Sequence, residues 1–245
     1  MNKRWEILPI DEKKQILLEK NLHISSSLAE ILTRKNLDEN SAKLFLNPTK
    51  IPYHDPFLLK DMEKACQRLL LALKNKEKIC IYGDYDVDGV SSTALLMTVF
   101  TKLGFNIDYY LPDRHSEGYG LHIESLQKLI PKYDLLITVD CGITALDEVD
   151  YAKDKIDMII TDHHLPREIL PDAFAIINPT QTQCIYPNKN LCGVGVAFKL
   201  CQGLYQSLNK DIHELENYLD IVALGTIADI VPLVDENPVS YTHLR

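Results

Sequence analysis

The chain has 245 residues, with 26 Lys+Arg, 35 Asp+Glu, a net charge of −9 and an apolar fraction of 46%. This composition suits one large globular domain, or a domain with an appendage, and excludes whole-chain disorder, collagen and coiled coil. No apolar run approaches the roughly 18 residues of a membrane span, and the N-terminus MNKRWEILPIDEKK lacks the apolar core of a secretory signal.

Six cysteines (Cys66, Cys80, Cys141, Cys184, Cys192, Cys201) without a CxxC pair read as reduced thiols of a cytoplasmic protein, neither a disulfide frame nor a zinc site. Residues 1–78 carry 15 basic and 11 acidic side chains, whereas residues 79–245 carry 11 basic and 24 acidic. The negative balance argues against simple electrostatic capture of nucleic acid. An acidic half is either a solvated surface or a set of carboxylates converging on metal ions, whose charge the formal count omits.

In chain order, residues 11–20, 24–35, 38–46 and 59–75 have helical apolar spacing with charged faces, interrupted by Asn47-Pro48 and by IPYHDPF at 51–57. They predict a helical N-terminal segment over 1–77. From residue 78 the rhythm becomes strand, loop, helix. Strands are expected at 78–82, 106–110, 135–139, 158–161 and 173–177. Helices are expected at 90–103, 122–130, 144–154, 192–208 and 213–224. Such alternation predicts an α/β domain over 78–237, with a mostly parallel sheet flanked by helices. Right-handed crossovers bring the strands' C-terminal ends to one edge, where such sheets bind ligands.

The first strand runs into YGDYDVDGVSS. Alternate residues of an extended segment share a face, so Asp84, Asp86 and Asp88 can converge. Like charges that close repel, and a divalent cation resolves the repulsion. An acidic surface loop is the alternative. A calcium loop of EF-hand type is disfavoured, because Leu95 stands where the loop needs Glu and a strand, not a helix, precedes it. LLITVDCG ends a strand at Asp140, which either joins the metal set or caps a helix. MIITDHH ends at Asp162, His163 and His164, and neutral imidazole is a strong transition-metal ligand. LGTIADIVPL places Asp229 in an apolar stretch, where a buried carboxylate needs a partner. Together these residues suffice for two ions. Asp/His ligation without Cys suits Mn²⁺ first, with Mg²⁺ or Co²⁺ possible. Two such ions about 3.5–4 Å apart hydrolyse phosphate esters.

The segments IYGDYDVDGVSSTALL, YLPDRHSEGYGL, LLITVDCGIT, MIITDHHLP, INP at 177–179, LCGVGVAFKL and LGTIADIVPLVDEN, in this order, resemble the DHH phosphoesterase superfamily. The match is closest to its RecJ-type single-stranded-DNA exonucleases and covers roughly residues 50–237. The resemblance implies that Asp86 and Asp88 supply both metals and that Asp140 bridges them. It implies that His163 and Asp229 are ligands and that His164 faces the scissile phosphate. Tyr82 stands where many relatives have His, and Asp84 is expected to help fill that gap. Asp162 is expected to orient the histidines from behind. Arg114, in LPDRHSEGYG, is expected to meet substrate phosphate, the alternative being a surface pair with Asp113 or Glu117. His115 and His122 are not taken as ligands. Gly118 and Gly120 suit a tight turn, while Gly193 and Gly195 open a helix either toward phosphate or for close packing.

The implied activity is 5′ to 3′ hydrolysis of single-stranded DNA in recombination and repair, beside a RecQ-type helicase and single-strand-binding protein. The alternatives are a phosphodiesterase of short oligonucleotides or cyclic dinucleotides, and a non-catalytic scaffold. Full members continue into a second domain and an oligonucleotide-binding fold, and PVSYTHLR at 238–245 departs from their pattern. On that reading this chain binds metal but is a weak exonuclease, since its single-strand-binding surface is incomplete.

Overall fold

The computed structural model describes residues 9–47 and 52–237; the divergent tail at 238–245 lies outside them. Two compact units divide between Pro52 and Tyr53. In the first, α1 (Glu12–Leu22), α2 (Ser26–Arg34) and α3 (Glu39–Leu46) stand where the apolar spacing expects them. Asp11, Ser25 and Asp38 cap them, each accepting the backbone N–H three residues on, which satisfies one of the orphan donors of a helix start. Leu18, Ala29, Leu32 and Ala42 form a small core.

The second unit contains α4 (Met62–Asn75), β1 (Lys78–Tyr82), α5 (Val87–Leu103), β2 (Asn106–Tyr110), α6 (Ile123–Leu129), β3 (Leu135–Val139), α7 (Leu146–Ala152), β4 (Asp157–Thr161), β5 (Ala175–Ile177), α8 (Gly193–Ser207) and α9 (Leu219–Ala228). The five described strands form one sheet in the order β2-β1-β3-β4-β5, and every pairing is parallel. β3 is buried along its whole length, as the apolar run LLITV requires of a central strand covered on both faces. β2 lies at an edge and is the more exposed strand.

Cys80, Tyr82, Leu136, Met158 and Ile160 point to one face and pack with α6 and α7 through Leu126, Leu129, Val149 and Ala152. By the period of two, Ile79, Ile81, Leu135, Ile137 and Ile159 point to the other. That face meets α5 and α8, which pack on each other and on α9.

β5 and α7 each begin two residues later than expected, and three elements differ more from the sequence pattern. Helical spacing groups residues 59–75 with the N-terminal segment, but α4 buries Met62, Ala65, Cys66, Leu69 and Ala72 and packs on α8 and β5. α5 starts at Val87, three residues early, because Asp86 is its N-cap and accepts the Gly89 N–H at 2.9 Å. The helix expected at 213–224 is a 3₁₀ turn over 212–218 followed by α9. Gly225 sits inside α9 where the helix abuts Asp88. A Cβ there would lie 2.4 Å from Asp88 Oδ1.

Candidate metal centre

β1, β3 and β4 end at one edge, and the chain order reverses between β1 and β3. A crevice opens at such a reversal. Gly83 carries the chain out of β1 where a Cβ would lie 2.2 Å from Thr93 Oγ1. Asp84 follows it, Asp140 follows β3, and Asp162, His163 and His164 follow β4. Asp229 arrives separately as the C-cap of α9.

The ligand atoms gather in three linked groups, each within 4.8 Å: Asp84, Asp86 and Asp140; Asp140, His163 and His164; Asp88, His163 and Asp229. Asp140 and His163 each belong to two groups. His163 Nε2 lies 3.1 Å from Asp140 Oδ1, 3.6 Å from Asp229 Oδ2 and 3.8 Å from Asp88 Oδ2. The three aspartates of GDYDVDG therefore do not meet at one point. The chain is extended only as far as Asp86. Asp88 lies in the first turn of α5 and turns to the second group. Asp229 is not buried, with its side chain 30% exposed, because α9 ends there.

Both carboxylate oxygens of Asp84, Oδ1 of Asp140 and Nε2 of His163 are buried without a hydrogen-bond partner. Buried polar atoms are normally paired, and these point toward one another. Burial, then Asp88, Asp86 and Asp162, push the Asp140 carboxyl well above its ordinary range. Burial likewise raises Asp84 and Asp88. Asp140 also sits at φ 60, a left-handed conformation uncommon outside Gly, Asn and Asp. Converging oxygen and imidazole donors, orphaned and mutually repelling, fit divalent cations of the Mn²⁺ or Mg²⁺ kind.

Asp88 is held from outside the cluster. The N–H groups of Gly193 and Val194 at the start of α8 donate to Asp88, the latter at 2.8 Å. That helix start, which the glycine pattern leaves open to phosphate, is thus engaged by Asp88. Gly193 is needed for packing: a Cβ there would lie 2.6 Å from Asp140 Oδ1. Gly193→Ala is therefore expected to weaken Mn²⁺ binding by roughly tenfold although no donor is removed. Calorimetric titration would check this, and unchanged affinity would contradict the steric argument.

Asp162 is bonded to the ring of His164 and to the backbone of both histidines. Its Oδ1 accepts from His164 Nδ1 at 2.7 Å, from the His163 N–H at 2.7 Å and from the His164 N–H at 3.1 Å. Its Oδ2 accepts from the Ile143 N–H at 2.9 Å. Burial opposes its ionisation, but the bond from His164 and these N–H groups hold its pKa below the usual range. Asp162 in turn raises His164 to about 9. The His164 ring remains 42% exposed, so its Nε2 can meet a ligand.

Three residues were given no role by the motif reading, although Asn178 and Tyr119 lie inside quoted motifs. Asn178 Nδ2 and Thr180 Oγ1 donate to the His164 carbonyl at 2.9 and 3.1 Å, so the turn after β5 holds the histidine loop. Tyr119 places its hydroxyl 3.3 Å from His164 Nδ1 and 3.4 Å from the Asp140 carbonyl. An aromatic between Gly118 and Gly120, both at positive φ, was the available signal. Arg114 is exposed and stacks its guanidinium over Tyr85 at 5.4 Å. Asp113 and Glu117 make their own bonds within the loop and its surroundings.

The family described as "DHH family, N-terminal domain" matches residues 78–226. The chain belongs to the DHH family. Among curated DHH proteins, it is 45% identical over 237 residues to the single-stranded-DNA-specific exonuclease RecJ of Bacillus subtilis (strain 168), covering 96% of this chain and 29% of that protein. It is 43% identical over 191 residues to RecJ of Escherichia coli (strain K12), covering 73% and 33%. The structure of RecJ in complex with Mn²⁺ from Thermus thermophilus superposes with a TM-score of 0.81 at 27% identity, covering 98% of this chain and 34% of that one. A structure of exonuclease RecJ bound to manganese gives 0.70 at 34% identity, covering 76% and 47%. The chain thus spans about a third of the length of the curated relatives it matches. Among the described residues, no helix is long and apolar enough to cross a membrane.

Proposed function

We propose that this chain carries the catalytic metal centre of a single-strand-specific DNA exonuclease that hydrolyses phosphodiesters from the 5′ end with two divalent ions, Mn²⁺ in preference to Mg²⁺. The observation that carries this reading is the linkage of three ligand groups through Asp140 and His163. Identity to RecJ proteins supports the substrate, and the Mn²⁺ named for a related structure supports the metal. Asp84, Asp86 and Asp140 are proposed to hold one ion, and Asp88, His163 and Asp229 the other, with Asp140 shared. Divalent ions bound there supply Lewis-acid stabilisation of the phosphate and acidify the attacking water.

The remaining chemistry belongs to the chain. His164, gripped through Nδ1 by Asp162, presents Nε2 as a donor to a phosphate oxygen, where charge develops during attack. Tyr119 borders the same ring and restricts where the phosphate lies. Arg114, carried on Tyr85, offers two parallel N–H donors to phosphate. Asp162 keeps the histidine tautomer and orientation fixed. The proposed setting is cytoplasmic recombination and repair, beside a RecQ-type helicase and single-strand-binding protein.

The test pairs 5′-labelled single-stranded DNA with a small chromogenic phosphodiester, in Mn²⁺ and in chelator, with Asp140→Ala alongside. Mn²⁺-dependent cleavage that Asp140→Ala abolishes is expected. A folded, Mn²⁺-binding chain that cleaves neither compound would overturn the reading. Cleavage of the small ester alone would support the metal centre without supporting DNA as its substrate.

A further inference from the structure

After Asp229 the chain makes an eight-residue strap to Asn237. Val231 is half-buried, whereas Ile230 is 86%, Leu233 41% and Val234 48% exposed. Core packing therefore does not hold the strap behind Asp229. Its backbone is strained at both ends, with φ 56 at Ile230 and at Asp235. A β-branched residue in the left-handed region persists only when its surroundings impose it.

The first fully buried side chains after Asp229 are polar, Glu236 and Asn237. Glu236 Oε2 meets Lys199 Nζ at 2.5 Å, and its Oε1 accepts from the Tyr186 hydroxyl. Lys199 is itself 1% exposed. Its ammonium also donates to Gln202 Oε1 at 2.9 Å and to the His54 carbonyl at 3.2 Å, and it lies near the rings of Tyr53 and Tyr186. Asn237 accepts from Asn188 Nδ2 at 3.2 Å and donates to the carbonyls of Asn190 and Pro232 at 2.7 and 2.9 Å. A buried ion pair is weak evidence for stability as such, and a role in fixing geometry has to be argued from what it holds.

Here it holds α8. The first N–H groups of that helix grip Asp88, and Lys199, about a turn and a half on, grips the strap that begins at Asp229. Asp88, Asp229 and His163 make one ligand group. We propose that Lys199 and Glu236, with Tyr186, are positioning residues for the metal ion of that group. They tie the segment carrying Asp229 to the helix that holds Asp88, and so set the separation of the two carboxylates. This rests on the metal-centre reading above and extends it to residues that touch no ligand.

The experiment is a Mn²⁺ titration of the 245-residue chain, following the electron paramagnetic resonance signal of free Mn²⁺. Glu236→Gln, close in shape but uncharged, is expected to weaken one class of Mn²⁺ site by roughly tenfold and leave the other unchanged. The same change made in an Asp229→Asn background should have no further effect, whereas in an Asp84→Asn background it should keep its full effect. Tyr186→Phe deletes one hydroxyl and carries the test if Glu236→Gln does not fold; a loss of about threefold is expected, at the low end of such partners. A merely structural role predicts a lower melting temperature in chelator with both Mn²⁺ affinities intact, and that result overturns the proposal alone. Failure of the unaltered chain to bind Mn²⁺ overturns the metal centre with it.

Discussion

Asp140→Asn is expected to abolish Mn²⁺-dependent hydrolysis and at the same time to stabilise the metal-free chain. Asp140 is 1% exposed, and its Oδ1 has no hydrogen-bond partner. Burial and the neighbouring Asp88, Asp86 and Asp162 raise its pKa far above the ordinary carboxylate range. A carboxyl whose folded pKa is raised contributes stability in full below its unfolded pKa and loses it as pH rises. The metal-free wild type should therefore weaken steadily from acid toward alkaline pH. Asn does not titrate, and it is among the side chains best tolerated at positive φ. Removing the disfavoured charge should add about 1–2 kcal/mol at pH 8, which for a chain of this size moves the melting temperature by several degrees. The gap should narrow toward pH 5. Mn²⁺ should raise the melting temperature of the wild type by more than that of the variant, which keeps Asp88, His163 and Asp229, and the variant's rate should fall at least ~10³-fold, beyond the loss of a single oxyanion donor. Melting curves in chelator and in Mn²⁺ at pH 5 and pH 8 decide it. A variant that melts below wild type in chelator at pH 8 would refute the electrostatic account.

Asp162→Asn is expected to act on stability with the opposite sign. This carboxylate is equally buried but fully partnered, accepting from His164, His163 and Ile143. An Asn amide would turn a donor toward at least one of those donors. Breaking a buried charged pair costs about 3–5 kcal/mol; the lower end, ~3 kcal/mol, applies because the His164 ring is 42% exposed and solvent screens it. The pH dependence follows from the two pKa directions. Asp162 is depressed, so its contribution is present above the ordinary carboxylate range and lost as pH falls into it. His164 is raised to about 9, so its contribution is full below the unfolded value and lost as pH rises through 9. The difference between wild type and variant should therefore be widest at mildly acidic pH, above the carboxylate range and below the ordinary 6.5 of His164, and shrink at both extremes. Activity should fall ~10²-fold through the loosened histidine. A neutral effect on melting at pH 7 would mean that Asp162 does not hold the loop.

The strands β1, β2, β3 and β4 were legible to within a residue, because short apolar runs bounded by Gly, Asp and Asn have few other uses. So was the inventory of chemistry at their ends, since acidic and imidazole side chains just after buried strands are costly unless they meet a ligand. Less legible was how that inventory divides. Spacing by two places Asp84, Asp86 and Asp88 together only while the backbone stays extended, and the N-cap at Asp86 ends that. The C-terminal helix was misplaced because apolar spacing over 213–224 does not show where the 3₁₀ turn gives way to α9, whose Gly225 lies against Asp88.

What the sequence determined alone was therefore local: the order of strands and helices, the donors placed after each strand, and the family that this set resembles. Only the tertiary structure decided that Asp140 and His163 each belong to two ligand groups, that Gly193 and Gly225 leave room for carboxylates, and that Lys199 reaches Glu236. The reason is physical. Periodicity and capping act within a few residues along the chain. Charge repulsion, steric exclusion and burial act between atoms that meet only when strands distant in sequence, with Asp84 and Asp162 among their flanking residues, end at the same edge of one sheet.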